Sequence, residues 1–138
     1  SRIDASGGAV FFAAGVFYYF LTEQVRTLVQ AMAAAFPGGK LVFDAAGKSA
    51  VKLMLKTWIK SARIRDVGAY FSVSDAESEL FAWGSNLRIS HRGYMLGYRS
   101  LDVPEVSGFF RFLARVGDGA MKMQIVRLDF AEKGEETA

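Results

Sequence analysis

The sequence predicts an α/β fold with a mostly parallel sheet that closes in an antiparallel last strand. Three observations predict it. Ala9 to Phe20, A-V-F-F-A-A-G-V-F-Y-Y-F, opens as a continuous apolar run, which suits a strand buried on both faces of a parallel sheet. Lys40 to Asp44, K-L-V-F-D, reads as a second buried strand after one helix-length of chain, so the first unit is strand, helix, strand with a parallel crossover. Near the end, Asn86–His91 and Met121–Phe130 alternate apolar with polar residues and follow each other closely enough to pair antiparallel.

The first helix begins near Thr22, a suitable N-cap, with Glu23 and Gln24 in a first turn that favours negative charge. Val25, Leu28, Val29, Met32 and Phe36 give it one apolar face, and Pro37-Gly38-Gly39 ends it. The second helix is expected from a Ser49 cap to about Ala62, with Val51, Met54, Leu55, Trp58 and Ile59 inward. Lys52, Lys56, Lys60 and Arg63 form a stripe opposite, readable as a solvated face or as a contact for phosphate or an acidic partner. Val67 to Val73 reads as a short strand or extended segment. Ser74 and Glu77 form a capping-box pattern that opens a short helix to about Trp83. Arg92 to Leu101 is a glycine- and tyrosine-bearing loop. Pro104 suits the first turn of a last helix with apolar Val106, Phe109, Phe110 and Leu113, and Gly117-Asp118-Gly119 turns the chain into the final strand. That strand slips its alternation once after Ile125, which predicts a bulge, and Ala131 to Ala138 reads as a frayed acidic tail.

With 138 residues the chain suits one domain, and its 51% hydrophobic content is enough for a substantial core. Absence of cysteine excludes disulfides and thiolate metal sites. Basic and acidic residues are interspersed at a net charge of +3, which leaves no nucleic-acid footprint. The run Ala9 to Leu21 is shorter than the ~20 residues that cross a bilayer, so the expectation is a cytoplasmic protein with no membrane partner. A chain that opens almost at once with a central-type strand is expected to be a fragment of a longer product.

A strand that ends in glycine and aromatics just before a helix is where open α/β sheets bind ligands, although the same pattern also describes plain core. Here a family resemblance enters. Ala13 to Val25, A-A-G-V-F-Y-Y-F-L-T-E-Q-V, resembles the segment around the fourth strand of the leucine carboxyl methyltransferase family, within the class I S-adenosylmethionine-dependent methyltransferases. F-P-G-G-K-L-V-F-D (Phe36 to Asp44) resembles the fifth-strand segment, and V-S-D-A-E-S-E-L-F-A-W (Val73 to Trp83) fits the same family. The nearer subgroup is the bacterial tetracenomycin polyketide type, and the resemblance covers roughly Ile3 to Phe130. It implies the C-terminal half of a Rossmann-like methyltransferase sheet, whose full-length parent transfers a methyl group from S-adenosylmethionine to a carboxylate or hydroxyl of a small molecule. By that resemblance Ala14, Gly15 and Val16 line the cofactor and Tyr19 faces the substrate. Tyr19 packed under the next helix is the competing reading.

Two departures stand out. The family's glycine-rich loop and ribose-holding acid have no counterpart, since Gly7-Gly8 precedes a strand and Gly38-Gly39 lies between a helix and a strand. Ala14 stands where the family often has Glu. The chain alone is therefore expected to be inactive. The lone histidine, His91, falls on the apolar side of its strand with no recognisable partner and takes no catalytic assignment, and the general base stays unassigned. Tyr94 and Tyr98 either cover a substrate or pack. From a different class, the alternative is a non-catalytic α/β binding or oligomerisation module. Under either reading Val10 to Ala14 is expected at a sheet edge, where a homo-oligomer can form.

Overall fold

The computed structural model describes residues 4–5, 8–63 and 68–134. Val67 of the expected extended segment, Gly7 of the first glycine pair and the last four residues of the tail lie outside them, as do the chain's first three residues. The elements run β1 (Val10–Ala13), a 3₁₀ turn (Phe17–Tyr19), α1 (Thr22–Ala35), β2 (Lys40–Ala45), α2 (Lys48–Met54), α3 (Ala76–Phe81), β3 (Leu87–Gly93), α4 (Gly108–Asp118) and β4 (Gln124–Phe130). A π-helical turn, Leu55–Ile59, continues α2.

One four-stranded mixed sheet has the order β1-β2-β4-β3. β1 and β2 pair in parallel, and β4 runs antiparallel to both β2 and β3. Hence β1, β2 and β3 share one direction and the last strand alone is reversed, as the alternation and order of elements predict.

Burial follows the period of two. Leu41, Phe43 and Ala45 of β2 and Val126, Leu128 and Phe130 of β4 are buried on one face. Phe11, Ala13, Leu87 and Ile89 extend that face at the two outer strands. Val25, Val29 and Ala33 of α1 and Ala76 and Leu80 of α3 cover it. Phe17, Phe43, Phe71 and Trp83 link across this core at ring separations of 5.1 to 6.2 Å. The opposite face, carrying Val42, Asp44, Ile125 and Asp129, is only half-buried. β1 therefore is not buried on both faces: Phe12 is 77% exposed, because only the α1–α3 side of the sheet is covered there.

Local corrections have local causes. Thr22 is the first residue of α1 rather than its cap; the Leu21 N–H donates to Gln24 Oε1 at 2.8 Å instead. Gly47 precedes α2, so Ser49 lies inside the helix. Of the apolar face expected there, Val51 and Ile59 are buried while Trp58 is 76% exposed. Leu28 of α1 is likewise exposed. Glu79, not Glu77, closes the turn before α3, where its Oε1 accepts from the Ser74 and Asp75 N–H groups.

The 70–73 segment forms no strand. Tyr70 and Val73 donate single bonds to the loop carbonyls of Tyr18 and Ala46, while Phe71 and Val73 fill the core. Ser107 caps α4 by accepting from the Phe110 N–H, so Pro104 lies before the helix. Ala114 and Gly117 form its buried side, whereas Phe109 is 72% exposed and Phe110, Phe112 and Leu113 are exposed too. Gly117 and Asp118 belong to the helix, so the turn comes at Gly119. Lys122 adopts a positive φ of 53°, and β4 starts only at Gln124. From there Gln124, Val126, Leu128 and Phe130 alternate inward without a slip, so no bulge is needed. No helix among the described residues is long and apolar enough to cross a membrane.

Candidate functional site at the carboxyl edge of the sheet

β1 and β2 end side by side, and the chain leaving β1 must turn sharply to reach α1. Gly15 makes that turn at φ +65°, a left-handed conformation that favours glycine. A carboxylate holds it: the Gly15 N–H donates to Asp44 Oδ1 at 2.6 Å. Tyr18 donates its hydroxyl to Asp44 Oδ2 at 2.8 Å. Asp44 thus ties the end of β2 to the exit of β1. No Lys or Arg among the described residues forms an ion pair with it.

Burial raises the Tyr18 phenol well above its ordinary 10.0, and the Asp44 charge and hydrogen bond raise it further. Tyr18 therefore remains a protonated donor at any ordinary pH and cannot act as a base. Both Asp44 side-chain oxygens already accept one bond each.

Beside this pair opens a largely apolar cleft of about 330 Å³. Tyr18 and Asp44 form part of its wall, Met54 and Trp58 come from α2 and its π turn, and Tyr94 and Met121 close it from the loops next to β3 and β4. Because β4 is reversed, its start lies at the same edge as the ends of β1, β2 and β3. That edge is where open α/β sheets take ligands. Methionine and aromatic walls adapt to irregular apolar ligands. The Tyr94 side of the cleft is pinned from α4: Asp118 accepts from the Met95 N–H at 2.8 Å and the Leu96 N–H at 2.7 Å, and the Tyr94 N–H donates to the Met123 carbonyl.

Ala14, Gly15 and Val16 are all exposed at this edge, directly after β1. Apart from Gly15 and its two chain neighbours, no atom lies within 4 Å of where a Gly15 Cβ would stand, so a ligand can approach the backbone there. Tyr19 is 45% exposed and does not line the cleft; its neighbour Tyr18 does. Tyr98 stacks under the Arg92 guanidinium at 5.4 Å. His91 pairs in register with Val126 on the core side but is exposed, because β3 is an outer strand. Asp44, Tyr18 and Asp118 went unassigned in the sequence. For Asp44 a signal existed, an acidic residue closing a buried strand, but nothing in the sequence shows that β1 ends one residue short of it. Among the described residues no cluster of acidic or histidine side chains has the arrangement of a metal site. In comparisons with protein-family models, curated proteins and solved structures, none matched the chain.

Proposed function

We propose that the chain is the C-terminal portion of a Rossmann-like, S-adenosylmethionine-dependent O-methyltransferase of the leucine carboxyl methyltransferase and tetracenomycin polyketide type, whose parent methylates a carboxylate or hydroxyl of a small molecule. The observation that carries the reading is the Gly15 turn, held by Asp44 at the carboxyl ends of a parallel strand pair and opening beside an apolar cleft. The reversed last strand supports it, since the resemblance implies a sheet that closes that way.

The residues present fit the group. When bound, S-adenosylmethionine supplies an electrophilic methyl on a sulfonium. Ala14, Gly15 and Val16 offer exposed backbone to it, and the unneutralised charge of Asp44 favours a cation at this edge. Tyr18 fixes Asp44, and the Met and aromatic walls give an acceptor in the cleft an apolar surface to lie against. Tyr19, which the resemblance turns toward the substrate, lies outside the cleft wall, and its neighbour Tyr18 stands there instead. A carboxylate acceptor needs no general base.

A second reading, a non-catalytic binding or oligomerisation module, draws support from the uncovered apolar side chains of β1 and α4. Intact-mass measurement on the source material, beside calorimetric titration with S-adenosylmethionine, separates the two. The methyltransferase reading expects a larger parent that binds in the micromolar range and loses binding on Gly15→Val, while the 138-residue chain alone transfers no methyl group. A parent of this size with no binding refutes it and leaves the module.

A further inference from the structure

A second cavity, of about 240 Å³, lies away from the cleft, between the 96–102 loop and the flank of α4. Arg99 and Ser100 line it from the loop, Arg111 and Arg115 from the helix, and Asp102 is the one acidic residue in its wall. None of the three arginines pairs with a carboxylate among the described residues.

Arg111 and Arg115 are four apart on one helix, an arrangement of like charges that costs stability unless something neutralises it. Arg111 is also tethered: its Nη2 donates to the Val103 carbonyl at 2.7 Å, which fixes the plane of the guanidinium. Its Nε is buried without a hydrogen-bond partner. That nitrogen has no accessible surface, so it is the rest of the guanidinium, at the cavity wall, that can meet an anion. Loop and helix therefore place three cations around one hollow.

We propose that this cavity binds a small phosphate-type dianion, either free or as the monoester of a small molecule. Charge selects the class. Three arginines less one aspartate leave a formal +2, which a dianion balances and a monocarboxylate does not. The planar guanidinium fork matches phosphate oxygens, and the Ser100 hydroxyl adds a donor. This site is independent of the methyltransferase reading, because it shares no lining residue with the cleft.

Isothermal titration with inorganic phosphate and with phenyl phosphate, against acetate at matched ionic strength, tests the proposal. Saturable one-to-one binding of a phosphate, with acetate at least about tenfold weaker, is the expected result, since each charge-assisted bond lost is worth about a factor of ten or more. Tighter binding of phenyl phosphate identifies a monoester site, and equal or tighter binding of inorganic phosphate identifies a free-phosphate site. Arg99→Gln and Arg115→Gln are each expected to weaken binding about tenfold. Arg111→Lys, which keeps the charge but loses the fork, is expected to weaken it as well. The two outer variants decide the matter if Arg111→Lys does not fold. Absence of saturable phosphate binding, equal binding of acetate, or phosphate affinity unchanged in Arg99→Gln and Arg115→Gln overturns the proposal.

Discussion

Replacing Asp44 by Asn tests the candidate site most directly, since one carboxylate serves two donors. Its Oδ1 takes the Gly15 N–H at 2.6 Å and its Oδ2 the Tyr18 hydroxyl at 2.8 Å. An amide presents one oxygen, so with that oxygen kept on the Gly15 N–H the Tyr18 hydroxyl faces an NH₂ group and must turn to accept from it, without the help of a charge. The half-buried Tyr18 bond, made to a charged acceptor, is worth about 1.5–3 kcal/mol, and the exposed Gly15 bond less because water competes for it. Asp44→Asn should therefore lower unfolding free energy by about 1–2 kcal/mol. Tyr18→Phe, which removes only one partner, should cost about 1–2 kcal/mol. In the double variant these losses should fall short of additive by about 1 kcal/mol, because the second substitution finds the charged bond already gone. Urea denaturation followed by circular dichroism on the four proteins gives this coupling. Additivity to within about 0.3 kcal/mol would refute the Tyr18–Asp44 bond, and with it the account of how the Gly15 turn is held.

Four other outcomes follow from the same geometry. Tyr18 is raised in the folded state, so below pH 10 the phenol is protonated whether folded or unfolded, and above it only the unfolded chain releases the proton; stability should fall as pH rises past 10, less steeply in Tyr18→Phe, as urea midpoints across alkaline pH will show. Gly15→Ala should cost about 1–2 kcal/mol from backbone strain alone, because the space around it is open, and Gly15→Asn less, since Asn tolerates that conformation; both are read from urea midpoints. Asp118→Asn should cost about 1–2 kcal/mol and selectively accelerate hydrogen exchange at Met95 and Leu96, the two amides it accepts from. Light scattering should show concentration-dependent self-association, reduced by Phe12→Lys, because β1 pairs on one side only among the described residues and leaves Phe12 uncovered.

Much of the architecture is legible in the sequence because periodicity reports burial. The Val126–Phe130 alternation of β4 and the position of β2 read correctly, as does the strand–helix–strand opening, since each is a local pattern with one dominant cause, whereas the slip expected before Val126 is absent. Helix caps read less well. Thr22 and Ser49 fall one and two residues inside helices whose caps are Leu21 and Gly47, and Glu77 falls two short of Glu79, because the choice between neighbours depends on where the chain enters, which is a tertiary matter. Phe109 and Trp58 mislead for another reason: helical spacing says which residues share a face, not whether anything covers that face. The candidate site was half legible. Gly15 stands out as a glycine between apolar runs, but the tie from Asp44 spans 29 positions and no local pattern encodes it.

The position of Asp44 is a consequence of the core. β2 buries Leu41, Phe43 and Ala45, so the period of two sends Asp44 to the opposite face. β1 stays in register with β2 only from Val10 opposite Lys40 to Ala13 opposite Phe43. Asp44 is therefore the first residue of β2 with no β1 partner, and its carboxylate lies free to reach over the strand end to Gly15. On its other side Asp44 stands opposite Ile125 in β4, which offers no polar partner. A one-residue slip of β2 would expose Phe43 and Leu41 and carry Asp44 toward the core at the same time. Core packing and the geometry of the edge are thus set by one register, and a substitution that loosens the first should appear at the Gly15 turn before the sheet itself opens.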